Sequence, residues 1–183
     1  MSINLKKDEK SILLGIPIIF LLSVPLHFAY EFIGNNSIVG IFTPVNESIW
    51  EHLKLSFYPM LIWWFISFII LTRKIKISAP NWSVSCAFSL IASPVIIVAL
   101  YYINTGAFGL HSLVLDILSL LIAVFLAQIL GLHIYRHNNF NIYDLYSAIS
   151  IIFVMILLFT FFTFCPPKYP IFSYLCFCCI LNI

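Results

Sequence analysis

The sequence has very little charge: Asp, Glu, Lys and Arg make up 9% of its 183 residues, against about 25% in an average soluble domain. This scarcity, together with 62% apolar residues, excludes an ordinary soluble globular protein. The basic residues are scattered and the net charge is only +2, so no basic surface is available to follow a phosphate backbone. We therefore expect no nucleic-acid partner.

The sequence also lacks the motifs of several large enzyme classes. It contains no G-x-S-x-G nucleophile elbow, no H-E-x-x-H metal-binding pair, no Walker loop and no dinucleotide-binding fingerprint. Its five cysteines have neither the even number of a disulfide framework nor the paired spacing of a zinc site. We interpret them as buried or lipid-facing thiols that act as small hydrophobic side chains.

What the sequence has instead is a series of long apolar runs, with a mean hydropathy of +1.07. Runs of about 20 residues are long enough to cross a hydrocarbon layer of about 30 Å as helices. The predicted fold is an all-α bundle of five transmembrane helices in one domain, residues 1–183. The predicted spans are residues 11–34, 53–72, 82–103, 110–130 and 143–164, and the apolar tail over residues 165–183 is predicted to lie at the interface. The first run is too long for a signal-peptide core, so we interpret it as a retained helix.

The distribution of Lys and Arg predicts the orientation of these helices. With the N-terminus inside, seven of the nine basic residues flank the spans on the inner side. These seven are Lys6, Lys7, Lys10, Arg73, Lys74, Lys76 and Arg136. Because cytoplasmic flanks carry the basic excess, we predict a multi-pass protein of the cell membrane with a cytoplasmic N-terminus and the lipid bilayer as its partner. The sequence leaves the oligomeric state open.

This orientation places most of the acidic and histidine residues at the outer side of the membrane. The cluster consists of His27, Glu31, Asn46, Glu47, Ser48, Glu51, His52, His111 and Asp116. Residues four apart on a helix share a face, which pairs Glu47 with Glu51 and Ser48 with His52. The charged residues of the inner flanks, such as Asp8 and Glu9, are expected to be solvated.

Among the residues of this cluster, Asp116 has the greatest need of a charge partner. It lies about six residues inside the fourth predicted span, and an ionisable group within a bilayer costs at least about 2.5–3.5 kcal/mol. It therefore needs a partner, for which His27, His52 or a bound cation are candidates.

The cluster predicts a metal centre. Carboxylate and imidazole groups from several helices form the metal sites of helical bundles, and a divalent metal such as zinc would suit them. The candidate ligands are His27, His52, His111 and Asp116. Glu47 or Glu51 is the candidate general base for a bound water. The leading hypothesis is a metal-dependent membrane hydrolase that acts on a lipid or lipid-linked substrate at the outer leaflet.

Two other classes of function stay open at this point. A small proton-coupled transporter would exchange protons at Glu31 and Asp116, although the inner halves of the spans lack ionisable groups. A non-catalytic membrane subunit would use the cluster only to hold helices together. On that reading Asn46 caps a helix whose first acidic residues interact with the helix dipole.

The run TPVNESIWEHLKLSFYP, from Thr43 to Pro59, resembles the signature of a bacterial family of small multi-pass membrane proteins of unknown function. In that family N-E-S-x-W-E-H-L-K opens a membrane helix. The resemblance extends to H-F-x-Y-E at residues 27–31, H-S-x-x-x-D at residues 111–116 and the prolines at 166, 167 and 170. It implies that Asn46, Glu47, Ser48, Glu51 and His52 belong to the family signature, and it implies no activity. The tail SYLCFCCILNI departs from the polar, acidic stretch of the family.

Overall fold

The structure, a computed structural model, describes residues 6–173, and these contain helices and no strand. The helices are α1 (Lys7–Phe32), α2 (Ser37–Phe42), α3 (Ile49–His52), α4 (Lys54–Thr72), α5 (Ala79–Tyr102), α6 (Leu113–His137) and α7 (Ile142–Phe164). A π-helical turn over Ile103–Ala107 extends α5, and a 3₁₀ turn covers Pro170–Phe172.

Five helical segments are long and apolar enough to cross a membrane, which confirms the predicted all-α fold. They are Lys7–Phe32, Ile49–Thr72, Ala79–Ala107, Leu113–His137 and Ile142–Phe164. The fourth differs most from its predicted bounds of 110–130, because packing continues beyond the long apolar run: Leu132 and Ile134 are still buried. The cytoplasmic location of the N-terminus stays a prediction. Most of the predicted interfacial tail, residues 174–183, lies outside the described part of the chain.

The bundle is held together by the packing of α5 along α6 and of α1 against α4 and α6. Polar side chains join these helices inside the apolar core. The buried Gln128 of α6 accepts a hydrogen bond from Trp64 Nε1 of α4 at 2.8 Å and donates one to the Ile12 carbonyl of α1 at 2.9 Å. All of these groups are paired, as groups buried in an apolar core must be.

A second polar connection joins α6 to the first turn of α1. Arg136 of α6 donates two hydrogen bonds to the Glu9 carboxylate, at 2.8 and 2.9 Å, and Tyr135 donates one to Asp8 at 2.8 Å. The expectation of a solvated role is wrong for Glu9, which is only 9% exposed. The long α6 helix brings Arg136 to Glu9 of α1. The sequence does not indicate this contact, because the two residues are far apart along the chain.

The contact between α5 and α6 predicts the effect of a small substitution. A Cβ atom added at Gly131 would lie 2.2 Å from Ser89 Oγ, whose single proton is shared between the carbonyls of Ser85 and Ala127. We expect Gly131→Ala to lower the free energy of unfolding by about 1–3 kcal/mol, because overpacking displaces that hydroxyl. Gly106→Ala is the control, since nothing lies within 4 Å of its added Cβ. Equal thermal stability of the two variants in detergent would contradict the predicted clash.

Candidate metal centre

The segment between α2 and α4 carries most of the polar cluster, and its own side chains determine its shape. Asn46 Oδ1 accepts a hydrogen bond from the Ser48 backbone N–H at 2.9 Å, which forms a turn. Ser48 Oγ then accepts from the Glu51 N–H at 3.4 Å and caps α3. The helix therefore begins at Ile49, and Ser48 is the capping residue that the sequence interpretation assigned to Asn46.

His52 is held in one orientation by this short helix. Its Nδ1 lies 2.8 Å from the Ser48 carbonyl oxygen, and since a carbonyl only accepts hydrogen bonds, Nδ1 carries the proton. The other ring nitrogen, Nε2, lies 3.3 Å from Glu47 Oε2. The Ser48 carbonyl thus fixes the ring so that Nε2 faces Glu47, and a backbone carbonyl bonded to the second ring nitrogen is typical of metal-binding histidines.

His27 reaches the same place from α1. Its ring centroid lies 5.3 Å from that of His52. Its Nδ1 is buried and has no hydrogen-bond partner among residues 6–173. Potential ligand atoms of His27, Glu47 and His52 all lie within 4.8 Å of one another. We call these three residues the histidine–glutamate centre.

Asp116, His111 and Glu31 lie around this centre and not within it. Asp116 is exposed in the first turn of α6, where a carboxylate interacts favourably with the helix dipole. It lies closer to the helix end than predicted, because α6 begins at Leu113. No residue of the described chain forms a hydrogen bond or ion pair with its carboxylate, while the imidazoles of His52 and His111 are near enough to interact with its charge. Glu31 interacts in the same way with His27.

Glu51 does not face the histidine–glutamate centre but forms a buried ion pair. The Lys54 ammonium, fully buried, donates a hydrogen bond to Glu51 Oε2 at 2.7 Å. It also donates to the carbonyls of Gly40 at 2.7 Å and Thr43 at 3.2 Å. Lys54 was missed as a site residue; the signals were its spacing of three residues from Glu51 and its place at the end of the N-E-S-x-W-E-H-L-K run.

Two further groups donate hydrogen bonds to the Glu51 carboxylate. Oε2 accepts from the Val45 N–H at 3.0 Å, and Oε1 accepts from Thr163 Oγ1 of α7 at 2.9 Å. With 2% of its surface exposed, Glu51 is a structural carboxylate. Its role as a general base stays a prediction that these contacts do not favour.

The donor set of the histidine–glutamate centre suits a divalent transition metal. Zinc binds imidazole nitrogen and carboxylate oxygen at about 2.0–2.2 Å, and two ligands of a tetrahedron with such bonds lie about 3.4 Å apart. The separation of 3.3 Å between His52 Nε2 and Glu47 Oε2 matches that edge. The ligand atoms of all three residues spread over as much as 4.8 Å, so metal binding would draw them closer together. Three protein ligands leave one position open, as in catalytic zinc sites. The side chain of Glu47, 69% exposed, makes this side of the centre accessible.

Comparison with known proteins relates the chain to one family. The model of the family described as "Family of unknown function (DUF6512)" matches residues 1–176. That range includes every helix named above and the complete histidine–glutamate centre. No curated protein and no solved structure matches the chain.

Proposed function

The chain belongs to the DUF6512 family of unknown function, and from its site we propose that it is a membrane-embedded, metal-dependent hydrolase acting on a lipid or lipid-linked substrate. The observation that carries the proposal is the convergence of His27, Glu47 and His52 within 4.8 Å. Two imidazoles and one carboxylate are a ligand set used by hydrolytic zinc sites. A divalent metal such as zinc, when bound, supplies Lewis-acid chemistry and activates water.

The residues of this chain have separate tasks in the proposed reaction. His27, Glu47 and His52 hold the metal, and the Ser48 carbonyl keeps His52 in its binding tautomer. Asp116 is the proposed general base. Its carboxylate is exposed, has no direct partner among residues 6–173 and interacts with the charge of His52. Glu51 is buried and bonded to Lys54, Val45 and Thr163, and it has no part in this scheme.

Exposed apolar side chains beside these residues support a lipid substrate. On α1, Phe28 next to His27 is 59% exposed. On α6, Leu113 and Val114 before Asp116 are 73% and 63% exposed. A substrate with an acyl or prenyl chain would keep that chain against this surface while its polar linkage reached the centre.

Metal analysis of the purified protein tests the proposal. In detergent, the wild type is expected to hold close to one zinc or similar ion per chain. The His27→Ala, Glu47→Ala and His52→Ala variants should each lose most of it, because each removes one of only three protein ligands. The matched control is His133→Ala: this exposed histidine lies 17 residues from Asp116 along α6, or about 25 Å at 1.5 Å per residue.

The control should keep its metal. A folded wild-type protein that binds no transition metal at micromolar concentration would overturn the proposal. Solute-dependent flux across vesicles by such a metal-free protein would instead favour the transporter hypothesis.

A further inference from the structure

The segment that carries Glu47 connects α2 to α3. Between the end of α2 at Phe42 and the start of α3 at Ile49 the chain forms no regular helix. Two parts of it are nevertheless buried, since Thr43 and Ser48 are 3% and 2% exposed. A buried irregular segment needs partners for its backbone groups, and here those partners are side chains.

The buried ion pair supplies these partners. Lys54 binds the carbonyls of Gly40 and Thr43, and Glu51 binds the N–H of Val45. Three backbone groups of residues 40–45 thus form hydrogen bonds with two charged side chains. The turn is tight as well: a Cβ at Gly40 would lie 2.7 Å from Val45 Cγ1.

We infer that Lys54 is a positioning residue of the metal centre, an inference that rests on the proposed function. In the described part of the chain no hydrogen bond or ion pair joins Lys54 to His27, Glu47 or His52. Lys54 acts through the backbone, by fixing the path of residues 40–45 and with it the place where the Glu47 carboxylate meets His52. Metal–ligand distances vary by only about 0.2 Å from their usual values, so a small displacement of this segment is enough to weaken metal binding.

Glu51 connects this arrangement to the rest of the bundle. Through Thr163 it bonds to α7, and through its own N–H it bonds to the Ser48 cap. The pair therefore joins the Glu47 segment, α3, α4 and α7. Apart from the neutral bond to Ser48, these contacts include a charged side chain, and hydrogen bonds to charged groups are stronger than neutral ones, which suits a pair that must fix geometry.

The test is the affinity for zinc of the double variant Glu51→Gln/Lys54→Met in the full chain. Glutamine keeps hydrogen-bonding groups for Val45 and Thr163, and the double variant leaves no unpaired buried charge. The main loss is therefore the pair of hydrogen bonds from Lys54 to the carbonyls of Gly40 and Thr43. We expect the zinc Kd to rise about 10–100-fold, as for other residues that orient metal ligands. The matched control, Glu9→Gln/Arg136→Gln, removes the ion pair at the other end of the bundle and should leave the Kd unchanged.

A second readout separates positioning from general destabilisation. Amide hydrogen exchange over residues 40–48 should become faster in the Glu51→Gln/Lys54→Met variant and not in the control. Thr163→Val removes the bond between Glu51 and α7, together with the bond of the same hydroxyl to the Phe159 carbonyl within α7. It should raise the Kd less and in the same direction.

The outcomes are distinct. An unchanged Kd in the folded double variant overturns the positioning role and leaves the proposed function standing. The same holds if the double variant does not fold and Thr163→Val binds zinc like the wild type. Absence of zinc binding by the wild type overturns the proposed function, and the positioning role with it.

Discussion

Replacement of Lys54 by methionine alone is expected to lower the free energy of unfolding by about 3–5 kcal/mol, because it leaves a buried carboxylate without its counter-ion. Glu51 is 2% exposed and cannot reach water in the native fold. The carbonyls of Gly40 and Thr43 lose their donor at the same time. Reversible unfolding in mixed detergent micelles, followed by circular dichroism, measures the change.

The comparison with two other variants identifies the cause. Adding Glu51→Gln to Lys54→Met should recover a large part of the lost stability, since the uncompensated charge is then gone. Lys10→Met removes an exposed lysine of α1, and surface changes of this kind stay within about 0.5 kcal/mol. If Lys54→Met is no more harmful than Lys10→Met, the buried ion pair contributes nothing to the fold.

The helices could be predicted from the sequence because the requirement for a membrane span is compositional. A run of about 20 apolar residues with few charges is enough to indicate one, whatever its neighbours are. Helix ends depend on packing instead. The continuation of α6 to His137 follows from the burial of Leu132 and Ile134 and from the contact of Arg136 with Glu9, which arise only when α1 and α5 are in place.

The candidate site shows why residue spacing alone could not assign the roles of Glu47 and Glu51. The i, i+4 rule pairs Glu47 with Glu51 only if both lie on one helix. Because the Ser48 cap starts α3 at Ile49, Glu47 precedes the helix and turns to His52, while Glu51 turns to Lys54. The sequence therefore identified both carboxylates but could not distinguish their roles.

The contact of His27 with His52 was within reach of the sequence, since the topology places the end of α1 beside the start of the second span. The partners of Lys54 could not be predicted from the sequence. Two of them are backbone carbonyls, at Gly40 and Thr43, and every residue type supplies a backbone carbonyl. Only the three-dimensional path of residues 40–45 makes them converge on one ammonium group.

The other large effect is expected for Asp116→Asn in the proposed hydrolase. Removing a general base typically lowers turnover by about 10²–10⁴-fold. Asparagine is close to isosteric and keeps a polar group in the first turn of α6, so the fold should be unaffected. The measurement is kcat for the most rapidly hydrolysed member of a panel of lipid and lipid-linked esters and phosphoesters, with zinc content determined on the same samples.

Zinc content distinguishes the proposed general-base role of Asp116 from the metal-ligand role that the sequence predicted. This residue lies outside the group of three residues whose ligand atoms come within 4.8 Å of one another, so Asp116→Asn should keep its zinc while losing turnover. Loss of zinc together with turnover would make Asp116 a fourth ligand. Asp144→Asn is the control, because Asp144 only accepts the Asn141 N–H at the start of α7, and both its zinc and its kcat should match the wild type. Full turnover by Asp116→Asn would remove this carboxylate from the reaction and overturn its proposed role as general base.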